Sequence, residues 1–278
     1  MSNKQDPQAC EDIKLLNQGI PGQQHYLLLA CHVLWREFSQ VAAKSRHELF
    51  PVFLRQGLHN EPDTLRKQLQ EQIDIADKLA EKNAEDPGQQ LYYDAILLGY
   101  GLCSNGIAGL TSKYHRIVVP RAHDCITIFL GDKNKYRDYF DKHPGVYWYC
   151  GGWLATGNMP GRERAEFLKK YYINKYEDEE TAEFLLEEEK NWMDKYQEAC
   201  FIEQEDLEIT QQEHDDWRHL SRDCANYCGW KFTETAGSLR LVSNLVDGIW
   251  PEEDFLVIEP GQIIEPSYDA GIVQCKPD

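Results

Sequence analysis

Three cysteines each close a short apolar run. Cys31 follows HYLLLA (25–30), Cys103 sits in GYGLCSNG after YDAILL (93–98), and Cys125 ends PRAHDC after RIVV (116–119). Thiolates are soft donors that favour zinc, Cu(I) or iron–sulfur clusters over hard cations. Three protein thiols and an open position are the ligand set of a catalytic zinc, or of a cluster with one labile iron. The competing role for each is that of a small buried hydrophobe. Neighbouring residues favour chemistry: His123-Asp124-Cys125 places an imidazole, a carboxylate and a thiol in one turn. His123 is a candidate fourth ligand, proton shuttle or hydrogen-bonding support for a ligand. Asp124 is a candidate proton-transfer group and, equally, a helix N-cap for ITIFLG. Arg121 could hold a carboxylate or phosphate bidentately, or pair with the acidic surface.

Gly99, Gly101 and Gly106 allow sharp turning and close backbone approach to a ligand. Ser104 stands where the dinucleotide fingerprint needs its third glycine, so that motif is excluded, as is a P-loop. Cys224 and Cys228 stand one helical turn apart, with His214 and His219 upstream; they form either a peripheral metal site or a buried helix face. Cys150 ends another strand candidate, VYWY, whereas Cys10, Cys200 and Cys275 have no supporting context. A metal-free thiol hydrolase would use Cys103 or Cys125 with His123 or His32 as base, but no nucleophile-elbow pattern accompanies them.

The elements that must position these residues alternate. Each of the three runs reads as strand, cysteine-bearing turn and helix, which implies βαβ units, a parallel sheet and right-handed crossovers. Ligands bind beyond the carboxyl ends of such strands, and ends about 5 Å apart bring remote residues together there. Cys103 and Cys125 are expected near helix N-termini, where the macrodipole lowers a thiol pKa. A polar helix over 61–84 carries Leu65, Leu69, Ile73, Ala76 and Leu79 at helical spacing, with Pro62 at its start and Asp86-Pro87-Gly88 as its stop. Residues 160–198 read as charged helix packed through Phe167, Leu168, Phe184, Leu185 and Trp192, followed by a helix over 211–227. The tail adds a helix over 238–246 and a strand over 255–258. The expected fold is a single α/β domain over 1–278: a Rossmann-like parallel sheet flanked by helices, with an acidic helical insertion at about 158–228.

Composition limits function. The 278 residues carry 29 basic and 47 acidic side chains, a formal net charge of −18, which argues against nucleic acid as a partner. No run approaches the roughly 20 apolar residues of a membrane span, and MSNKQDPQACEDIK lacks the plan of a signal peptide. A cytoplasmic location is expected, where nine cysteines, an odd number, are thiols or ligands rather than a disulfide framework.

The segments LLACHVL (28–34), LLGYGLCSNGIAGL (97–110), PRAHDCITIFLGD (120–132), PGVYWYCGGW (144–153) and GSLRLVSNLVDGIWPEEDFLVIEPGQ (237–262) resemble the domain-of-unknown-function sixteen-thirty-eight family. The resemblance lands on Cys31, Cys103 and Cys125 and adds Gly99, Gly101, Asn105, Pro120, Arg121 and Asp124 as parts of the same loops. The chain departs from the family pattern at Cys150-Gly151. The resemblance implies anaerobic bacteria and methanogenic archaea as hosts, with genes near corrinoid-dependent methyltransferases. The expected function is therefore that of a cysteine-ligated metal-binding protein in or beside corrinoid-dependent methyl transfer. Its metal is zinc in preference to a [4Fe-4S] cluster, with corrinoid reached through a partner. Two alternatives stand beside it. One is a non-enzymatic carrier of metal, corrinoid or cluster for a methyltransferase, docking through the acidic helices; the other is a metal-free thiol enzyme. The block YWYCGGW is a candidate homo-oligomer contact.

Overall fold

The computed structural model describes residues 20, 22–85, 93–156 and 159–277. Cys10 and the expected stop at 86–88 lie outside them. Strand β1 (His25–Cys31) is apolar throughout and almost wholly buried, as befits a parallel strand covered on both faces. It pairs with β2 (Glu48–Leu54) on one side and β3 (Ala95–Gly99) on the other; β4 (Ile117–Pro120) follows β3, and all three pairings are parallel. Strand β8 (Phe255–Ile258) closes the sheet antiparallel to β4, giving the order β2-β1-β3-β4-β8.

Helices cover both faces. On one face, α1 (Trp35–Lys44), α3 (Cys125–Leu130) and α9 (Arg240–Val246) contribute Phe38, Val41, Phe129, Val242 and Val246. On the other, α2 (Pro62–Glu85) inserts Leu65, Leu69 and Ile73, and the hairpin β9 (Gln262–Pro266) and β10 (Val273–Pro277) adds Ile264 and Val273. Burying each such Leu or Ile stabilises the fold by about 1.5–3 kcal/mol. The architecture is α/β and Rossmann-like. Among the described residues, no helix is long and apolar enough to cross a membrane.

Three expectations need correction. First, β2 was not anticipated, because Pro51 interrupts its run; at a sheet edge, where β2 pairs only with β1, a missing N–H is tolerated. Second, no helix follows Cys103. Cys103, Ser104 and Asn105 have φ of 47°, 57° and 65°, a left-handed turn costing about 1–2 kcal/mol per residue. Third, the segment 158–228 is not wholly helical. After α4 (Lys133–Lys142), β5 (Val146–Tyr149) and a short α5 (Gly151–Leu154), the chain forms α6 (Arg162–Tyr176) and α7 (Glu179–Asn191). It then makes β6 (Glu198–Glu203), α8 (Gln211–Cys228) and β7 (Lys231–Ala236). Strands β5-β6-β7 are a second parallel sheet, hidden in sequence because the ACFI core of β6 is short and flanked by charge. Within α6 and α7, Phe167 and Phe184 are 66% and 64% exposed, so neither packs on the core.

Candidate functional site

The carboxyl ends of the parallel strands converge as expected. Strand β1 ends on Cys31, and a single 3₁₀ turn (His32–Leu34) carries the chain into α1. The loops after β3 and β4 are laced together: Leu102 N–H donates to Ala122 O at 2.8 Å, and Cys103 N–H to His123 O at 2.9 Å. A Cβ on Gly101 would lie 2.6 Å from the Asp124 nitrogen, so the two loops can meet only with glycine there. The left-handed turn is held by Gly106 N–H donating to Cys103 O at 3.0 Å and by the Arg66 guanidinium donating to Asn105 O at 2.9 Å.

Asp124 is the N-cap of α3. Its Oδ1 accepts from the Ile126 and Thr127 amides at 3.0 and 3.3 Å, and its Oδ2 from the Tyr136 hydroxyl at 3.1 Å. Cys125 is the first residue of that helix. From the second sheet, β5 delivers Cys150 to the same place. A Cβ on Gly152 would sit 1.7 Å from the Val33 carbonyl oxygen, so the start of α5 rests directly on the turn that follows Cys31.

Four thiols thus share one neighbourhood. All eight cysteines among the described residues are free; Cys31, Cys103 and Cys125 are partly exposed and Cys150 is buried beneath them. Burial pushes each of the four up in pKa. Cys103 is raised further by Asp124 and Cys31, Cys125 by Asp124, Cys150, Cys103 and Cys31, and Cys150 by Glu37 and Cys31. Desolvation and neighbouring anions therefore outweigh any helix dipole, opposite to the expectation from sequence. Burial also raises Asp124, against its three hydrogen bonds.

Several groups here were not anticipated. Glu37, on α1, is 1% exposed, and neither carboxylate oxygen has a hydrogen-bond partner. Burial raises it from the ordinary 4.5 to about 7. The Tyr100 hydroxyl is likewise buried and unpartnered, and is raised in turn by Cys31 and Cys103. His59 follows β2, as the cysteines follow their strands, with its ring 6.1 Å from Trp153; burial lowers its pKa and Asp124 opposes this. Glu37 had a signal in the sequence, since it falls on the apolar stripe of Val33, Leu34, Phe38 and Val41. His59 had none without β2.

The remaining candidates disperse. His123 is exposed, with its ring 6.4 Å from Tyr136. Arg121 donates to the carbonyls of Glu252, Gly271 and Val273, so its guanidinium clamps the C-terminal segment. A Cβ on Gly99 would meet Ala30 and Phe38; this glycine serves close packing of β3. His214 pairs with Glu203 and His219 with Asp223, leaving Cys224 and Cys228 without either imidazole.

Among the described residues, no group of three His, Cys, Asp or Glu stands ready-formed as a coordination shell. The donor chemistry nevertheless suits a soft cation, and the buried Glu37 carboxylate, which Arg36 only partly offsets, acts on Cys150. The family model described as "Protein of unknown function (DUF1638)" matches residues 53–246, which include Cys103, Cys125 and Cys150 but neither Cys31 nor Glu37. No curated protein and no solved structure gives a significant match. With more than two thirds of its length matched, the chain belongs to the DUF1638 family.

Proposed function

We propose that this chain is a cysteine-ligated metal-binding protein acting in or beside corrinoid-dependent methyl transfer, with Cys31, Cys103 and Cys125 as ligands. One observation carries the metal part: four thiols come together at the strand ends with the buried Glu37 carboxylate, which the Arg36 guanidinium only partly offsets. As thiolates, groups buried together in this way are costly unless positive charge joins them. Zinc would supply it, holding thiols as thiolates and offering a Lewis-acid position at neutral pH. The three partly exposed thiols leave that position on the solvent side. Asp124, pinned by three hydrogen bonds, acts as a fixed charge that orients the turn, and His59 beside it is the proton-handling group. The methyl-transfer setting rests on the family resemblance; a thiolate held by metal is a reasonable methyl acceptor there.

The raised thiols speak against a metal-free thiol enzyme, which needs thiolate at neutral pH. A carrier is a second reading, favoured by exposed Phe167 and Tyr171 on α6 and Phe184 on the acidic α7.

Zinc competition on the metal-stripped chain tests the ligand set. Replacing Cys31, Cys103 or Cys125 singly with serine should each weaken binding by 100-fold or more, about 2.7 kcal/mol. Unchanged affinity in any one removes that residue, and dependence on Cys224 or Cys228 instead would move the site elsewhere.

A further inference from the structure

A second group of sulfur atoms lies in the core of the β5-β6-β7 unit, away from the strand-edge thiols. Cys224 and Cys228 are one turn apart on α8 and share an apolar cluster with Met159 and Met193. The chain contains only three methionines, and the two beyond Met1 are both here. The Cys228 Sγ lies 3.9 Å from the Met193 Sδ. Metal–sulfur bonds of about 2.3 Å around a trigonal ion set sulfur atoms about 4 Å apart, so this spacing already matches two ligands of one ion. Gly161 leaves the approach open: a Cβ there would stand 3.2 Å from the Cys224 Sγ. The same glycine lines a cavity of about 510 Å³ that reaches Met159 and Cys224, and an adjoining small cavity that reaches Met193.

We infer that Cys224, Cys228 and Met193 form a site for a monovalent soft cation, Cu(I), with Met159 at its entrance. Thioether sulfur is a poor ligand for zinc and a good one for Cu(I), and the nearby imidazoles, His214 and His219, are already paired with carboxylates. Binding replaces the two S–H protons by one Cu(I): two protons go to solvent, two copper–thiolate bonds form, and the Met193 thioether donates without changing charge. No oxidation or reduction is involved. The ordinary role of such sulfurs is apolar packing, which predicts no response to copper.

The test uses the whole chain labelled with methyl-13C methionine, titrated anaerobically with Cu(I) and observed by NMR. The Met193 methyl, assigned through Met193→Leu, should shift stoichiometrically with Cu(I) and stay in place with zinc. In Cys228→Ser the shift should vanish. Should that variant fail to fold, competition with a chromophoric Cu(I) chelator reads the same site: Met193→Leu, close in shape, should lose at least tenfold in affinity for one Cu(I). A Met193 methyl unmoved by Cu(I) in the unaltered chain, or equal Cu(I) affinity in Met193→Leu, overturns the site. The Met193 methyl reports only its own surroundings, and the competition is run in a chain with Cys31, Cys103 and Cys125 replaced by serine, so failure of either leaves the strand-edge proposal standing.

Discussion

Glu37 is the side chain whose chemistry is hardest to explain by packing alone. A carboxyl group on the apolar stripe of α1, with both oxygens unpartnered, destabilises the fold whenever it is ionised. Its pKa rises from 4.5 unfolded to about 7 folded, so between those values the folded chain holds a proton that the unfolded chain has lost. Stability must therefore fall as pH rises from about 4.5 to about 7. At 1.36 kcal/mol per pKa unit this amounts to about 3 kcal/mol. In metal-stripped protein, Glu37→Gln should flatten the dependence and raise stability at pH 8 by a similar amount. Urea denaturation at pH 5 and pH 8 measures it; equal slopes in the two proteins would mean that Glu37 is partnered in solution. The residue was legible in sequence as a charge on a buried stripe. The thiols were legible by type and place, but their raised pKa values were not, since they depend on burial and on Asp124 and Cys150 coming up to Cys31, Cys103 and Cys125 from other elements.

Among the elements, the short α5 fixes the geometry of the site. Gly152 leaves no room for a side chain against the Val33 carbonyl, and backbone cannot yield as a flexible side chain can. Gly152→Ala should cost about 1–3 kcal/mol by overpacking. It should also weaken zinc binding in protein that circular dichroism shows to be folded, because it displaces the turn after Cys31, and so that ligand, from Cys103 and Cys125. Zinc affinity equal to that of the unaltered chain would show that the β5 end takes no part. Several elements were readable from their runs: β5 and β8 have the bounds expected, and β1 and α2 differ by a residue or so. Strand β2 was masked by Pro51 and β6 by surrounding charge. The second sheet could not be foreseen at all, because β5 pairs with β6 across some fifty residues, Val146 opposite Glu198.

At the scale of the whole molecule, the mixed main sheet and the parallel second sheet present the ends of β1 and β5 to each other. Contacts beyond the site hold them so: Arg36 pairs with Glu213, Lys44 with Glu208, and the Gln40 amide donates to Asp206 O. The net charge of −18 is spread along the chain rather than gathered on α6 and α7: α6 carries five basic against two acidic side chains, and α7 six acidic against one basic. The central claim is that Cys31, Cys103 and Cys125 hold a metal where the sheets meet. Elemental analysis of the chain purified without oxygen, read with its visible absorbance, tests this most directly. A colourless protein with about one zinc per chain is the predicted result, and a visible iron–sulfur chromophore would keep the site but change the metal. Protein with neither metal nor colour, and with no affinity for added zinc, would contradict the account.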